Sequence, residues 1–118
     1  MKSALKNDDA IALKKLINIE NINTCFETGN SKYSLLNLTI KVNAKTCFKL
    51  LIDQKADVNK ECTGKTSLMY TAKYGRLEMA KLLIANDADI KKEYRGRTAI
   101  DYAKKYEKED ILAYLEKL

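Results

Sequence analysis

The side chains that could do chemistry are few. Three cysteines, Cys25, Cys47 and Cys62, are dispersed along a chain that has no histidine. A thiol nucleophile needs a neighbouring base, usually histidine, so thiol catalysis is not expected. The same three cysteines, without histidine and without a Cys-x-x-Cys pair, make a poor zinc set. Their odd number argues against a disulfide framework and fits a reducing compartment. Gly64-Lys65-Thr66 resembles the end of a phosphate-binding loop, but that loop needs a glycine where Asn59 stands. Two carboxylate pairs, Asp8-Asp9 and Glu109-Asp110, sit where helices are expected to begin, so the helix dipole accounts for them better than acid–base catalysis does. No catalytic residue, cofactor or metal is expected.

What remains is binding, and the elements that would position a binding surface are repeated. Sliding the sequence by 32 residues brings Thr63-Gly64-Lys65-Thr66-Ser67-Leu68 onto Arg95-Gly96-Arg97-Thr98-Ala99-Ile100. The same shift brings Leu50-Leu51-Ile52 onto Leu82-Leu83-Ile84 and Ala56-Asp57-Val58 onto Ala88-Asp89-Ile90. Cys47, Met79 and Ile111 share one register position, which marks Cys47 as a small core hydrophobe. Within a unit, Thr66 and Thr98 are good helix N-caps, and Asp101 lies three residues after Thr98 as in a capping box. The first helix should run to about Tyr74 and stop at Gly75 in a left-handed conformation. A second should run from about Leu77 to Asn86, with Met79, Ala80, Leu82 and Leu83 on one face. Each helix pair has apolar surface it cannot cover alone, so the units must stack.

The unit resembles the ankyrin repeat. Gly64-Lys65-Thr66-Ser67-Leu68-Met69, Ala72-Lys73-Tyr74-Gly75, Leu82-Leu83 and Ala56-Asp57-Val58-Asn59 carry the resemblance. It implies an all-α solenoid of stacked helix-turn-helix units with finger-like turns, forming a single domain over residues 1–118. Residues 1–30 would be an N-terminal capping unit, 31–62 and 63–94 full repeats, and 95–118 a truncated C-terminal capping repeat. Departures are clear: Leu35, Ser67 and Ala99 stand where the family has proline, and Asn37, Met69 and Asp101 where it has histidine. The segment 24–33 is longer than the pattern requires, either a larger first finger or a loop with its own purpose.

The resemblance also implies binding of another protein through concave first helices and turns. On the first helices, Tyr70 aligns with Tyr102, Tyr74 with Tyr106, and Lys73 with Lys41 and Lys105, while Leu38 and Val42 occupy the tyrosine columns one unit earlier. If both columns face outward, they form an aromatic and aliphatic ladder flanked by lysines, a composition suited to a protein interface. Packing between neighbouring units is the competing account of the same tyrosines. The last turn adds Lys92, Tyr94, Arg95 and Arg97, a basic finger that would favour an acidic partner.

Charge points the same way. The net charge is +6, and 19 of the 22 basic residues are lysines interspersed with acids. Nucleic-acid readers concentrate arginine for bidentate contacts, so nucleic acid is disfavoured, although a binder of nucleic acid or another polyanion through the basic turns is the alternative. No apolar run of about 7–15 residues follows the N-terminus and none approaches the ~18 of a membrane span. A cytoplasmic monomer that is not an enzyme, acting as adaptor, inhibitor or effector, is the expectation.

Overall fold

The computed structural model describes residues 2–118, in which eight helices form four antiparallel pairs. The pairs are α1 (Lys2–Lys6) with α2 (Ala10–Leu16), α3 (Leu35–Val42) with α4 (Lys45–Asp53), α5 (Ser67–Tyr74) with α6 (Leu77–Ala85), and α7 (Ala99–Lys105) with α8 (Glu109–Glu116). The first helices α3, α5 and α7 pack side by side, and each second helix packs on its own first helix. The result is a solenoid 38 × 26 × 22 Å.

Local chemistry sets the helix bounds. Ser34, Thr66 and Thr98 each accept a hydrogen bond from the backbone N–H three residues on, which starts α3, α5 and α7. The Asp101 carboxylate accepts from the Thr98 N–H at 2.9 Å and completes a capping box, as its spacing predicts. Asn43, Gly75 and Glu107, each 32 residues from the next, take positive φ of 60°, 73° and 57° and turn the chain from first helix to second. Glycine is used at only one of the three, so two units accept the left-handed strain of a side chain there.

The second helices α4, α6 and α8 have no side-chain cap of their own. Asp8 supplies one for α4 from a distance, accepting from the Thr46 and Cys47 N–H groups at 3.1 and 2.8 Å. Burial pushes the Asp8 carboxyl up, but the hydrogen bonds from Cys47 and Thr46 outweigh it and leave the group below its ordinary value of 3.8. Asp9, its neighbour, caps α2 through the Ala12 N–H. Both carboxylates therefore stabilise helix starts, as do Glu109 and Asp110 in the first turn of α8.

The core runs the length of the stack. Leu13, Leu51, Leu83 and Leu115 are buried on the second helices, and Cys47, Met79 and Ile111 are buried together in their shared register position. Burial, with the Asp8 carboxylate adding to it, pushes the Cys47 thiol up to about 11, which keeps it protonated and inert. The family's missing histidine is partly replaced between units, where the Ser67 hydroxyl donates to Asn37 Oδ1 at 2.6 Å, both residues being fully buried.

Segment 24–33 takes one of its two expected forms, a larger first finger, and the cysteine expectation is corrected. The finger is built as a β-hairpin, β1 (Cys25–Thr28) antiparallel to β2 (Ser31–Ser34), turning at Gly29 with φ 63°. The all-α class thus holds with one small two-stranded sheet added. The hairpin also brings Cys25 to Cys62 in the next finger, with Cα atoms 5.7 Å apart, and the two form a disulfide. The odd cysteine count argues against a disulfide framework and for a reducing compartment, yet one bridge forms. In fact Cys47 is the odd residue, withdrawn into the core, and the other two are paired. The fingers are linked further by a ladder of Asx contacts: Asn23 Oδ1 accepts from the Asp57 N–H and Asn59 Oδ1 from the Asp89 N–H, both at 2.8 Å.

Candidate protein-binding face

The face presented by the first helices and the fingers collects six of the seven tyrosines: Tyr33, Tyr70, Tyr74, Tyr94, Tyr102 and Tyr106. Helical spacing of four stacks Tyr70 on Tyr74, with ring centroids 6.5 Å apart, and Tyr102 on Tyr106 at 6.4 Å, the rings within 8° of parallel in both pairs. Tyr33, at the end of the hairpin, extends the row and lies 5.6 Å from Tyr70.

The two tyrosine columns are not equivalent. Tyr70 and Tyr102 are only 3% and 5% exposed, because their helices are flanked by neighbours and their rings are covered by the adjoining aromatics. Of the two accounts of these tyrosines, packing between neighbouring units is the one that holds for this column, which does not face outward. Leu38, one unit earlier in the same column, is likewise buried. Tyr74 and Tyr106, half-buried, and Val42, exposed, form the column that solvent reaches.

Lysines lie over these rings. Lys41 Nζ is 4.8 Å from the Tyr33 centroid, Lys73 Nζ is 5.4 Å from Tyr74 and 5.8 Å from Tyr106, and Lys105 Nζ is 5.4 Å from Tyr106. The predicted lysine column is therefore brought together with the accessible tyrosines, alternating cation and ring across units. In the last finger, Tyr94 and Arg97 exchange both backbone hydrogen bonds, which folds Arg95 over the Tyr94 ring at 5.1 Å. Arg97 is exposed. Lys92 is set apart from the others, since it pairs with Glu61 at 3.2 Å. The third arginine, Arg76, serves the fold by donating to the carbonyls of Ile40 and Lys41 at the end of α3.

Two residues of this face escape the sequence reading of the ladder. Tyr33 lies in the off-pattern segment, where no periodicity locates it. Lys65 is central: its Nζ lies 5.8 Å from Tyr70, 5.9 Å from Tyr94 and 5.8 Å from Tyr102. It shares a register position with Arg97, which is the one signal that could have placed it on the face. Burial first, then the charges of Lys73, Lys105 and Arg95, hold the Lys65 ammonium below its ordinary value of 10.5.

Among the described residues no group of histidine, cysteine and carboxylate side chains is arranged to hold a metal ion, and no helix is long and apolar enough to cross a membrane. No curated protein matches the chain. A family model described as ankyrin repeats (3 copies) matches residues 1–94 and again 36–117. With its four stacked helix pairs, its linked fingers and this match over nearly its whole length, the chain belongs to the ankyrin-repeat family.

Proposed function

We propose that the protein binds a partner protein across its first-helix face and fingers. Ankyrin repeats are generally protein–protein interaction modules and typically not enzymes, and the family membership supports the class of function. The observation that carries the reading to this face is the accessible column of Tyr74 and Tyr106 alternating with Lys73 and Lys105. Tyrosine offers large contact area at little rotamer cost, and the rings already ordered by stacking lose less entropy on binding. The proposed contact set also takes in Lys41 and Val42 of α3 and Lys92, Tyr94, Arg95 and Arg97 of the last finger. Tyr70 and Tyr102 support it by stacking on its rings. The excess of cations suits an acidic partner and fast encounter. The module acts as a monomer, and whether it is an adaptor, an inhibitor or an effector follows from the partner.

The test is a pull-down from native lysate at low and high salt. The bait is the parent chain or a variant with Lys73, Tyr74, Lys105 and Tyr106 replaced by alanine and Tyr70 and Tyr102 kept. A protein retained at high salt by the parent and lost with the variant is the expected result. Nucleic acid retained only at low salt, whichever bait is used, would replace this reading with a polyanion binder.

A further inference from the structure

We infer that Lys65 is a seat for a carboxylate of the partner: an acidic side chain of a bound protein segment docks at the ammonium framed by Tyr70, Tyr94 and Tyr102. The inference deepens the protein-binding reading of this face and rests on it.

The frame is built from two helices and a finger. Tyr70 comes from α5, Tyr102 from α7 and Tyr94 from the finger between them. The finger reaches back because Gly64, next to Lys65, leaves room: a Cβ there would lie 2.5 Å from the Tyr94 ring. Gly64 has φ +100°, a conformation that L side chains rarely adopt, so backbone and space both require glycine. The ring laid over Gly64 forms one wall of the frame. Lys65 remains half-buried, so its ammonium is partly stripped of water but still reachable.

The charge around it is unbalanced. Among the described residues the ion pairs are Lys32–Glu27, Lys81–Glu78 and Lys92–Glu61. None involves Lys65 or its neighbours Lys73, Lys105 and Arg95. Ring faces attract an ammonium, yet they leave its charge in place and replace only part of its lost hydration. Four cations are thus gathered without an acid among them, and folding holds Lys65 there against both desolvation and repulsion. An arriving carboxylate would relieve both at once, in a partly desolvated place where an ion pair is worth more than in water. Membership of a family of protein-binding repeats favours a carboxylate on a protein over a nucleic-acid backbone. Lys65, over three rings, and Arg95, over Tyr94, stand at the frame itself, while Lys73 and Lys105 lie over Tyr74 and Tyr106 beside it.

The experiment uses the full chain and an acetylated, amidated eight-residue peptide of alternating Glu and Gly, with its Gln counterpart as control. Binding is followed by fluorescence anisotropy and by NMR shifts of the tyrosine rings. The parent should bind the Glu peptide saturably and the Gln peptide at least about ten-fold more weakly. Lys65→Met should weaken Glu-peptide binding about ten-fold, while Lys81→Met, on the other side of the stack, should leave it unchanged. The melting temperature of Lys65→Met should equal or exceed that of the parent, since the substitution removes a repelled cation. Equal weakening by both variants would overturn the seat, as would absence of Glu-peptide binding. So would a fall in melting temperature in both Lys65→Met and Lys65→Gln, which would make Lys65 structural. Displacement by a single-stranded oligonucleotide at lower concentration than the Glu peptide would also overturn it, in favour of phosphate. Partner capture in the pull-down is read independently, so the seat can fail while the protein-binding face stands.

Discussion

Reducing the Cys25–Cys62 bond opens a closed loop whose ends are 37 residues apart in sequence. In the chain-entropy account the cross-link removes freedom from the unfolded chain by about 2.1 + 1.5R ln n cal/mol/K, which for this loop gives about 4 kcal/mol at 25 °C. The loop holds the hairpin, α3, α4 and the second finger, so nearly one whole unit is constrained while unfolded. Urea unfolding followed by circular dichroism, with and without a reducing agent, measures the difference. The Cys62→Ser variant should match the reduced parent. The slope against urea should rise on reduction, because the released chain exposes more surface. Titration of thiols in the unreduced, denatured protein should find one, from Cys47. Three thiols would refute the bridge. One thiol with a loss below about 1 kcal/mol would show that the hairpin frays apart from the stack, contradicting cooperative unfolding of the repeats.

Leu83 is fully buried, and Leu83→Ala should cost about 2–5 kcal/mol in urea unfolding; less than about 1 would contradict the assignment of its face to the core. Asp8→Ala removes the side-chain cap of α4 and should cost about 1 kcal/mol. Because the folded carboxyl titrates below 3.8, that stability is present at pH values above the unfolded value and is lost as pH falls through the folded one, so parent and variant should converge in acid unfolding below about pH 3.8. A gap that persists in acid would refute the charged cap. Gly64→Ala should lower the melting temperature and shift the Tyr94 ring resonances, since a Cβ would meet that ring at 2.5 Å and the backbone has φ +100°. Unchanged Tyr94 shifts would mean that the ring does not rest on Gly64.

The parts legible in the sequence are those governed by local rules. Thr66 and Thr98 cap helices, Gly75 ends α5, Leu77 opens α6 and Cys47 joins Met79 and Ile111 in the core, because caps, left-handed stops and helical spacing act within a few residues. What was missed depends on chain brought together across units. Cys25 reaches Cys62 only once the off-pattern segment folds into a hairpin, and counting cysteines carries no information about that. Asp8 caps α4 from 38 residues away. Tyr70 and Tyr74 look alike in sequence, four residues apart on one helix, but the stacking of neighbouring units buries the first and leaves the second accessible. Lys65 reads as one lysine among 19 until the finger between α6 and α7 lays Tyr94 beside it.

The most direct test of the central claim is an amide hydrogen-exchange footprint of the protein alone and with the partner captured by the pull-down. Protection on binding should fall on α3, α5 and α7 and on the fingers around Lys65 and Tyr94. Protection confined to the outer faces of α4, α6 and α8 would contradict the account, because it would place the partner on the side of the stack opposite the tyrosine–lysine face.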